Sequence, residues 1–225
     1  KSFAMKEMEI KSKAQMNMAM KEAEMVKDIT ENISHPNIMV IEKVFQIGSK
    51  FYLVFPLCTG GELYEHVIRL GNFTERDAAV VIHDLVDAID TLHKNNVLHL
   101  DIKPENILFE SKKADAKIRV TDFGLSQMFE TSDQGRTHVP TMDELNEKLR
   151  AFVENGHLPR DRLRGTLGYM SPELILTGSS LAATDVWAAG VVLYILLCGR
   201  PPFQSKSNRE ILMLSARGQY NTNSK

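Results

Sequence analysis

The segment His99-Leu100-Asp101-Ile102-Lys103-Pro104-Glu105-Asn106 gathers a carboxylate, an ammonium and an amide on one loop just before a short apolar run. That run, Ile107 to Phe109, and a second from Lys117 to Thr121 read as short strands on either side of the polar turn Glu110 to Asp115. Asp122-Phe123-Gly124 follows the second strand directly. Asp101, Lys103 and Asn106 thus stand on a loop before the strand pair, and Asp122 directly after it.

The 225 residues suffice for a sizeable core, as one domain or two lobes sharing a cleft. With 43% hydrophobic and 25% charged residues the composition is that of an ordinary globular protein. Lys and Arg total 27 against 29 Asp and Glu, so no basic field draws nucleic acid or anionic lipid, and neither is expected as a partner. Cys58 and Cys198 lie far apart without metal-ligand spacing and read as small buried hydrophobes in a reducing compartment. The longest apolar stretch, Val186 to Cys198, is too short to span a bilayer and reads as a buried helix. No signal peptide or lipidation motif is evident, so a cytoplasmic setting, with the nucleus as an alternative, is the expectation.

Along the chain, Phe3 to Lys6 reads as a strand and Lys13 to Ile33 as a helix. His35-Pro36-Asn37 ends that helix. Two apolar runs, Ile38 to Gln46 and Phe51 to Phe55, then flank the hairpin signal Ile47-Gly48-Ser49-Lys50. Beyond Thr59-Gly60-Gly61 the pattern turns helical, in Glu62 to Leu70 and Thr74 to Asn95. The expected architecture is α+β and two-lobed, with a small mixed β/α lobe over 1–57 and a mainly helical lobe over 58–225, joined by a hinge at Pro56 to Gly60.

Phosphoryl transfer needs an acceptor for the attacking hydroxyl's proton, a cation near the migrating group and oxygen ligands for magnesium, all in one cleft. His99 to Asn106, Asp122-Phe123-Gly124 and Gly165-Thr166-Leu167-Gly168-Tyr169-Met170-Ser171-Pro172-Glu173 resemble, in order, three signatures of the protein kinase family. The resemblance implies an ATP- and Mg2+-dependent enzyme acting on protein substrates. It makes Asp101 the catalytic base, Lys103 the residue steadying the transferred group, and Asn106 and Asp122 the magnesium ligands. Lys103 together with Thr166 is similar to the serine/threonine branch.

Phe3-Ala4-Met5-Lys6 is similar to the family's strand lysine that holds the α- and β-phosphates, with Glu22 as its helix partner and Glu24 as the rival. Phe51 to Leu63 resembles the fifth strand and hinge of calcium/calmodulin-regulated and calcium-dependent kinases. There Pro56 offers a carbonyl to the adenine amino group, and Cys58 a backbone donor and acceptor. Phe55 backs the pocket and Leu108 floors it. Glu62 and Glu105 match positions that bind the ribose or an arginine of the substrate, which implies a preference for basic peptides. Phe123 and Gly124 belong with the Asp122 ligand. Glu173 is expected to pair with an arginine further along the family's fold, and Asp185 to brace the catalytic loop from a buried helix. The alternative is a pseudokinase or scaffold that keeps the fold and signals through contacts.

Three departures qualify the resemblance. No glycine-rich phosphate loop precedes Lys6 and the family's last helices do not follow Tyr220, so an incomplete kinase domain of a longer protein is the expectation, the segment itself being poorly active. Leu100 stands where an arginine usually clamps an activation-loop phosphate, which implies activity independent of that phosphate. Gly165 lies 43 positions after Asp122, so an insertion is expected at about 131–160. Within it Thr141-Met142-Asp143-Glu144 starts a helix, with Met142, Leu145, Leu149, Phe152 and Val153 on one face and Asn155-Gly156 as its stop. That helix either rests on the large lobe or, aided by Arg160, Arg162 and Arg164, gates the substrate groove. No calcium-binding loop occurs in the chain, so any calcium sensor lies outside it.

Overall fold

A computed structural model describes residues 2–129, 139–156, 158 and 163–220. In the small lobe β1 (Phe3–Glu9), β2 (Lys43–Ile47) and β3 (Lys50–Pro56) form an antiparallel sheet ordered β1-β3-β2. Gly48 and Ser49 turn the hairpin, and Gly48 takes φ 56°, a conformation open to glycine without steric cost. Side chains alternate across β1, so Ala4, Lys6 and Met8 share its less exposed face. On that face Met8 meets the cluster of Ala19, Ala23, Phe51 and Leu53, through which α1 (Lys13–Asn32) lies on the sheet. Ser12 caps α1 by accepting the Gln15 N–H.

The large lobe is built on α2 (Leu63–Leu70), α3 (Glu75–Lys94), α4 (Met142–Asn155), α5 (Pro172–Thr177), α6 (Ala182–Cys198) and α7 (Asn208–Ala216). Two ribbons complete it: β4 (Val97–Leu98) pairs with β7 (Gln127–Met128), and β5 (Ile107–Phe109) pairs with β6 (Ile118–Val120). The main core joins Leu85, Ala88 and Leu92 of α3 to Val192, Ile195 and Leu196 of α6. A second cluster seats Phe152 of α4 against Leu174, Ile175 and Leu176 of α5 and Leu212 of α7. Phe152 has no exposure to solvent, and burying such a ring contributes roughly 1.5–3 kcal/mol.

Several boundaries differ from the expectation. The strand β1 runs on to Glu9, and of the run Ile38 to Gln46 only the part from Lys43 pairs in the sheet. Ile38 instead bridges to Val120 of the large lobe: Met39 N–H donates to Val120 O at 2.9 Å, and Val120 N–H to Asn37 O at 2.8 Å. Its side chain is fully buried in the main core, where more apolar surface is covered than a small-lobe edge offers. The helix α6 begins at Ala182, and Val186 is 58% exposed. Cys58 and Cys198 are half-buried free thiols, not core residues.

In the insertion, the capping box of Thr141 and Glu144 and the left-handed stop at Gly156 form as expected. The apolar face is narrower than its periodicity: Leu145, Leu149 and Phe152 pack inward, whereas Met142 and Val153 are exposed. The helix thus rests on α5 and α7 of the large lobe. Residues 131–138, Arg160 and Arg162 lie outside the described residues. No helix among the described residues is long and apolar enough to cross a membrane.

Candidate active site

The loop between β4 and β5 carries Asp101, Lys103 and Asn106, and its backbone is held from below by one carboxylate. Asp185 at the start of α6 is 1% exposed and accepts the N–H groups of His99 at 2.9 Å and Leu100 at 2.8 Å. His93 Nε2 of α3 lies 2.8 Å from the same carboxylate. These bonds hold Leu100 at φ 65°, a left-handed conformation costly for a γ-branched side chain, and so fix the direction in which Asp101 leaves the loop.

His99 is buried without exposure; its Nδ1 accepts the Asp101 N–H and its Nε2 donates to Thr121 O, an arrangement that only the neutral ring satisfies. Burial lowers the His99 pKa despite the Asp185, Asp101 and Asp122 carboxylates around it.

Three side chains converge at Asp101. Lys103 Nζ lies 2.8 Å from Oδ2, Thr166 donates its hydroxyl to Oδ1 at 2.6 Å, and the Asn106 amide reaches Oδ2 at 3.0 Å and the Asp101 carbonyl at 2.8 Å. Lys103 also donates to Thr166 at 2.8 Å. Burial alone raises a carboxyl pKa, but the Lys103, Thr166 and Asn106 donors outweigh it and hold Asp101 below its ordinary value. Asp101 is therefore an ionised acceptor at neutral pH.

Across the cleft Lys6 Nζ pairs with Glu22 at 2.6 Å and with Asp122 Oδ1 at 3.1 Å. Glu22 is buried on α1 while the rival Glu24 faces solvent, so the helix geometry chooses between them. Burial lowers the Lys6 pKa, but Glu22 and Asp122 win and raise it overall, keeping the ammonium charged. Asp122 takes φ 66°, and Phe123 behind it is 2% exposed against the His99 ring at 5.0 Å. A Cβ on Gly124 would sit 3.3 Å from Asp122 Oδ1, slightly tighter than carbon normally lies, and 3.4 Å from Glu22 Oε2, in contact with it.

Oxygen donors are what magnesium requires, and the site offers them. The Asn106 amide spends its N–H2 on Asp101, which leaves Oδ1 as its acceptor end. No group of three or more His, Cys, Asp or Glu side chains among the described residues forms a metal cage. One carboxylate and one amide fit an ion that keeps waters and takes substrate phosphates as its other ligands.

At the hinge, Pro56 closes β3 and Cys58 follows two residues on, outside any strand or helix. Gly60 N–H donates to Phe109 O at 3.0 Å, an approach in which a Cβ would collide with Ser111 O and Phe109 Cβ. Burial pushes the Cys58 thiol up. Leu108 on β5 bridges to Glu62, and Phe55 packs between the two cores. Burial, with Glu65 and Glu105 nearby, raises the Glu62 pKa, and Glu105 Oε2 is buried without a partner among the described residues. Glu173 at the start of α5 accepts from Thr184 at 3.4 Å.

The sequence reading missed three contributors. Asn37 is 3% exposed and donates to Asp84 at 3.1 Å and Ile118 O at 3.0 Å, tying the end of α1 to the large lobe. Tyr169 is held neutral by burial and by Glu105. Gln127 of β7, its amide oxygen turned toward Arg164, accepts from that guanidinium. Only the His35-Pro36-Asn37 break gave any signal for the first.

A small sheet-and-helix lobe above a helical lobe, with the Lys6–Glu22 pair facing the Asp101 loop, is the architecture of a protein kinase domain. The chain matches the protein kinase domain model over residues 1–224 and belongs to that family. It is 36% identical over 194 residues to calcium-dependent protein kinase 3 of Plasmodium yoelii yoelii, covering 86% of this chain and 31% of that protein. It is equally identical over 192 residues to calcium/calmodulin-dependent protein kinase type 1B of Homo sapiens, covering 85% and 48%. The chain thus spans less than half the length of these relatives.

Proposed function

We propose that this chain transfers the γ-phosphoryl group of ATP to serine or threonine hydroxyls of protein substrates. The observation that carries the reading is the convergence of Lys103, Thr166 and Asn106 on an ionised Asp101. Asp101 accepts the proton of the attacking hydroxyl, and Lys103, beside it, meets the charge of the migrating group. Lys6, oriented by Glu22, holds the α- and β-phosphates, and the hinge backbone at Pro56 and Cys58 receives the adenine over Leu108. Asn106 and Asp122 hold magnesium, which when bound neutralises phosphate charge. Phe123 and Gly124 keep Asp122 in place, and Asp185 braces the loop through His99 and Leu100.

Glu62, Glu65 and Glu105 make a carboxylate-rich cleft mouth, which supports a preference for arginine near the acceptor hydroxyl. The relatives' names support a calcium sensor outside these residues, and the free thiols support a reducing cytoplasm or nucleus.

The test is transfer of labelled phosphate from ATP to an arginine-bearing Ser/Thr peptide library by the full-length protein. Asp101→Asn is expected to lower kcat by about a hundredfold or more while nucleotide still binds. Nucleotide binding by the native protein with no transfer to any peptide would favour a scaffold. A library profile without basic preference would remove the role of Glu62 and Glu105.

A further inference from the structure

The second core cluster reaches the catalytic loop by way of the activation segment. Phe152 of α4 shares it with Met170 and Leu174, and Leu167, next to Thr166, packs against the same cluster. Met170 is pinned a second time, since buried Ser215 of α7 donates to its carbonyl at 2.7 Å. From Met170 and Leu174 the packing continues to Leu100 and Thr166 around a void of about 10 Å³, room for one water at most. At Gly165, φ 106°, a Cβ would stand only 2.7 Å from Leu100 O, so the segment lies directly on the catalytic loop. Close-packed interiors transmit such a displacement instead of absorbing it.

The charged clamp expected at Leu100 is absent, and an apolar path occupies its place. We propose that Phe152 is a positioning residue for phosphoryl transfer: by anchoring α4 on α5 and α7 it holds Leu167 and Met170, and through them keeps the Thr166 hydroxyl on Asp101. The insertion therefore does in cis, by packing, what a phosphate on the activation segment does by charge. This rests on the phosphoryl-transfer reading of the Asp101 site.

The experiment compares the full-length native protein with Phe152→Ala, Phe152→Leu and Met142→Ala, the last altering an exposed residue of the same helix. Steady-state kinetics are measured separately for peptide and ATP, and hydrogen exchange is followed at residues 163–170. Phe152→Ala is expected to lower kcat/KM for peptide roughly ten- to a hundredfold with the ATP KM unchanged within about twofold. Exchange at 163–170 is expected to quicken by about tenfold or more. Phe152→Leu should recover most of both losses, and Met142→Ala should behave as native.

Unchanged peptide kinetics and exchange in Phe152→Ala overturn the proposal, as does a rise in the ATP KM as large as the fall in kcat/KM for peptide, which marks a merely structural role. Should Phe152→Ala fail to fold, Leu149→Ala, which trims the partly buried edge of the same cluster, is read in the same way, and unchanged peptide kinetics or a matching rise in the ATP KM again overturns it. A native protein that transfers no phosphate removes the functional reading alone, because the exchange measurement still tests the anchor.

Discussion

Thr166 donates its hydroxyl to Asp101 at 2.6 Å, joining residues 65 positions apart in sequence, and the same hydroxyl accepts from Lys103. One oxygen thereby fixes the spacing between the Asp101 carboxylate and the Lys103 ammonium. A hydrogen bond to an ionised group contributes about 1.5–3 kcal/mol. Thr166→Ala is therefore expected to reduce kcat for peptide by roughly tenfold or more, and Thr166→Ser to retain most of it. Rates for the serine variant as low as those for alanine would show that the methyl group, not the hydroxyl, matters.

His99 makes stability depend on pH. Its folded pKa lies below the unfolded value because the ring is buried, so the unfolded chain takes up a proton first. Stability is full above about pH 6.5 and falls as the pH drops below it, by at most about 1.4 kcal/mol per pH unit. Denaturant midpoints measured between pH 7.5 and 5.5 should fall more for the native protein than for His99→Gln, whose amide keeps a donor and an acceptor without titrating. Parallel curves for the two proteins would remove His99 as the source.

Leu100 is 5% exposed and has no charge to offer a phosphate. Phosphatase treatment of the full-length protein should leave its peptide kinase activity within about twofold, since an activation-loop phosphate acts through the arginines it pairs with. Leu100→Arg should be less stable, because the small void beside it cannot solvate a guanidinium. A large loss of activity on dephosphorylation would reinstate charge as the organiser of the segment.

Much of the site was legible because its residues come in short, tightly spaced groups: Asp101, Lys103 and Asn106 within one loop, and Asp122 with Phe123 and Gly124. Lys6 and Glu22 were harder, since helical spacing left Glu24 open until burial separated the two. Ile38 was misread because a β-branched residue suits any half-buried strand, and only tertiary packing sends it to Val120. The face of α4 was overdrawn for a related reason. Periodicity marks which residues share a side of a helix, not how much of that side its neighbours cover, and α5 and α7 leave Met142 and Val153 uncovered. Gln127 and Arg164 lie on opposite sides of the insertion, and no local pattern announces their contact.

Asn37 and Ile38 fasten the end of α1 to β6. That fastening turns α1 into a lever with its fulcrum on the large lobe. Glu22 lies about ten residues from the pinned end, roughly 15 Å along the axis at 1.5 Å per residue. A tilt of about 10° swings it through about 2–3 Å on that arm, as far as its whole separation from Lys6 Nζ, 2.6 Å. The ion pair is thus an angle gauge: at 2.6 Å it is compatible with only a narrow range of α1 tilt relative to β1.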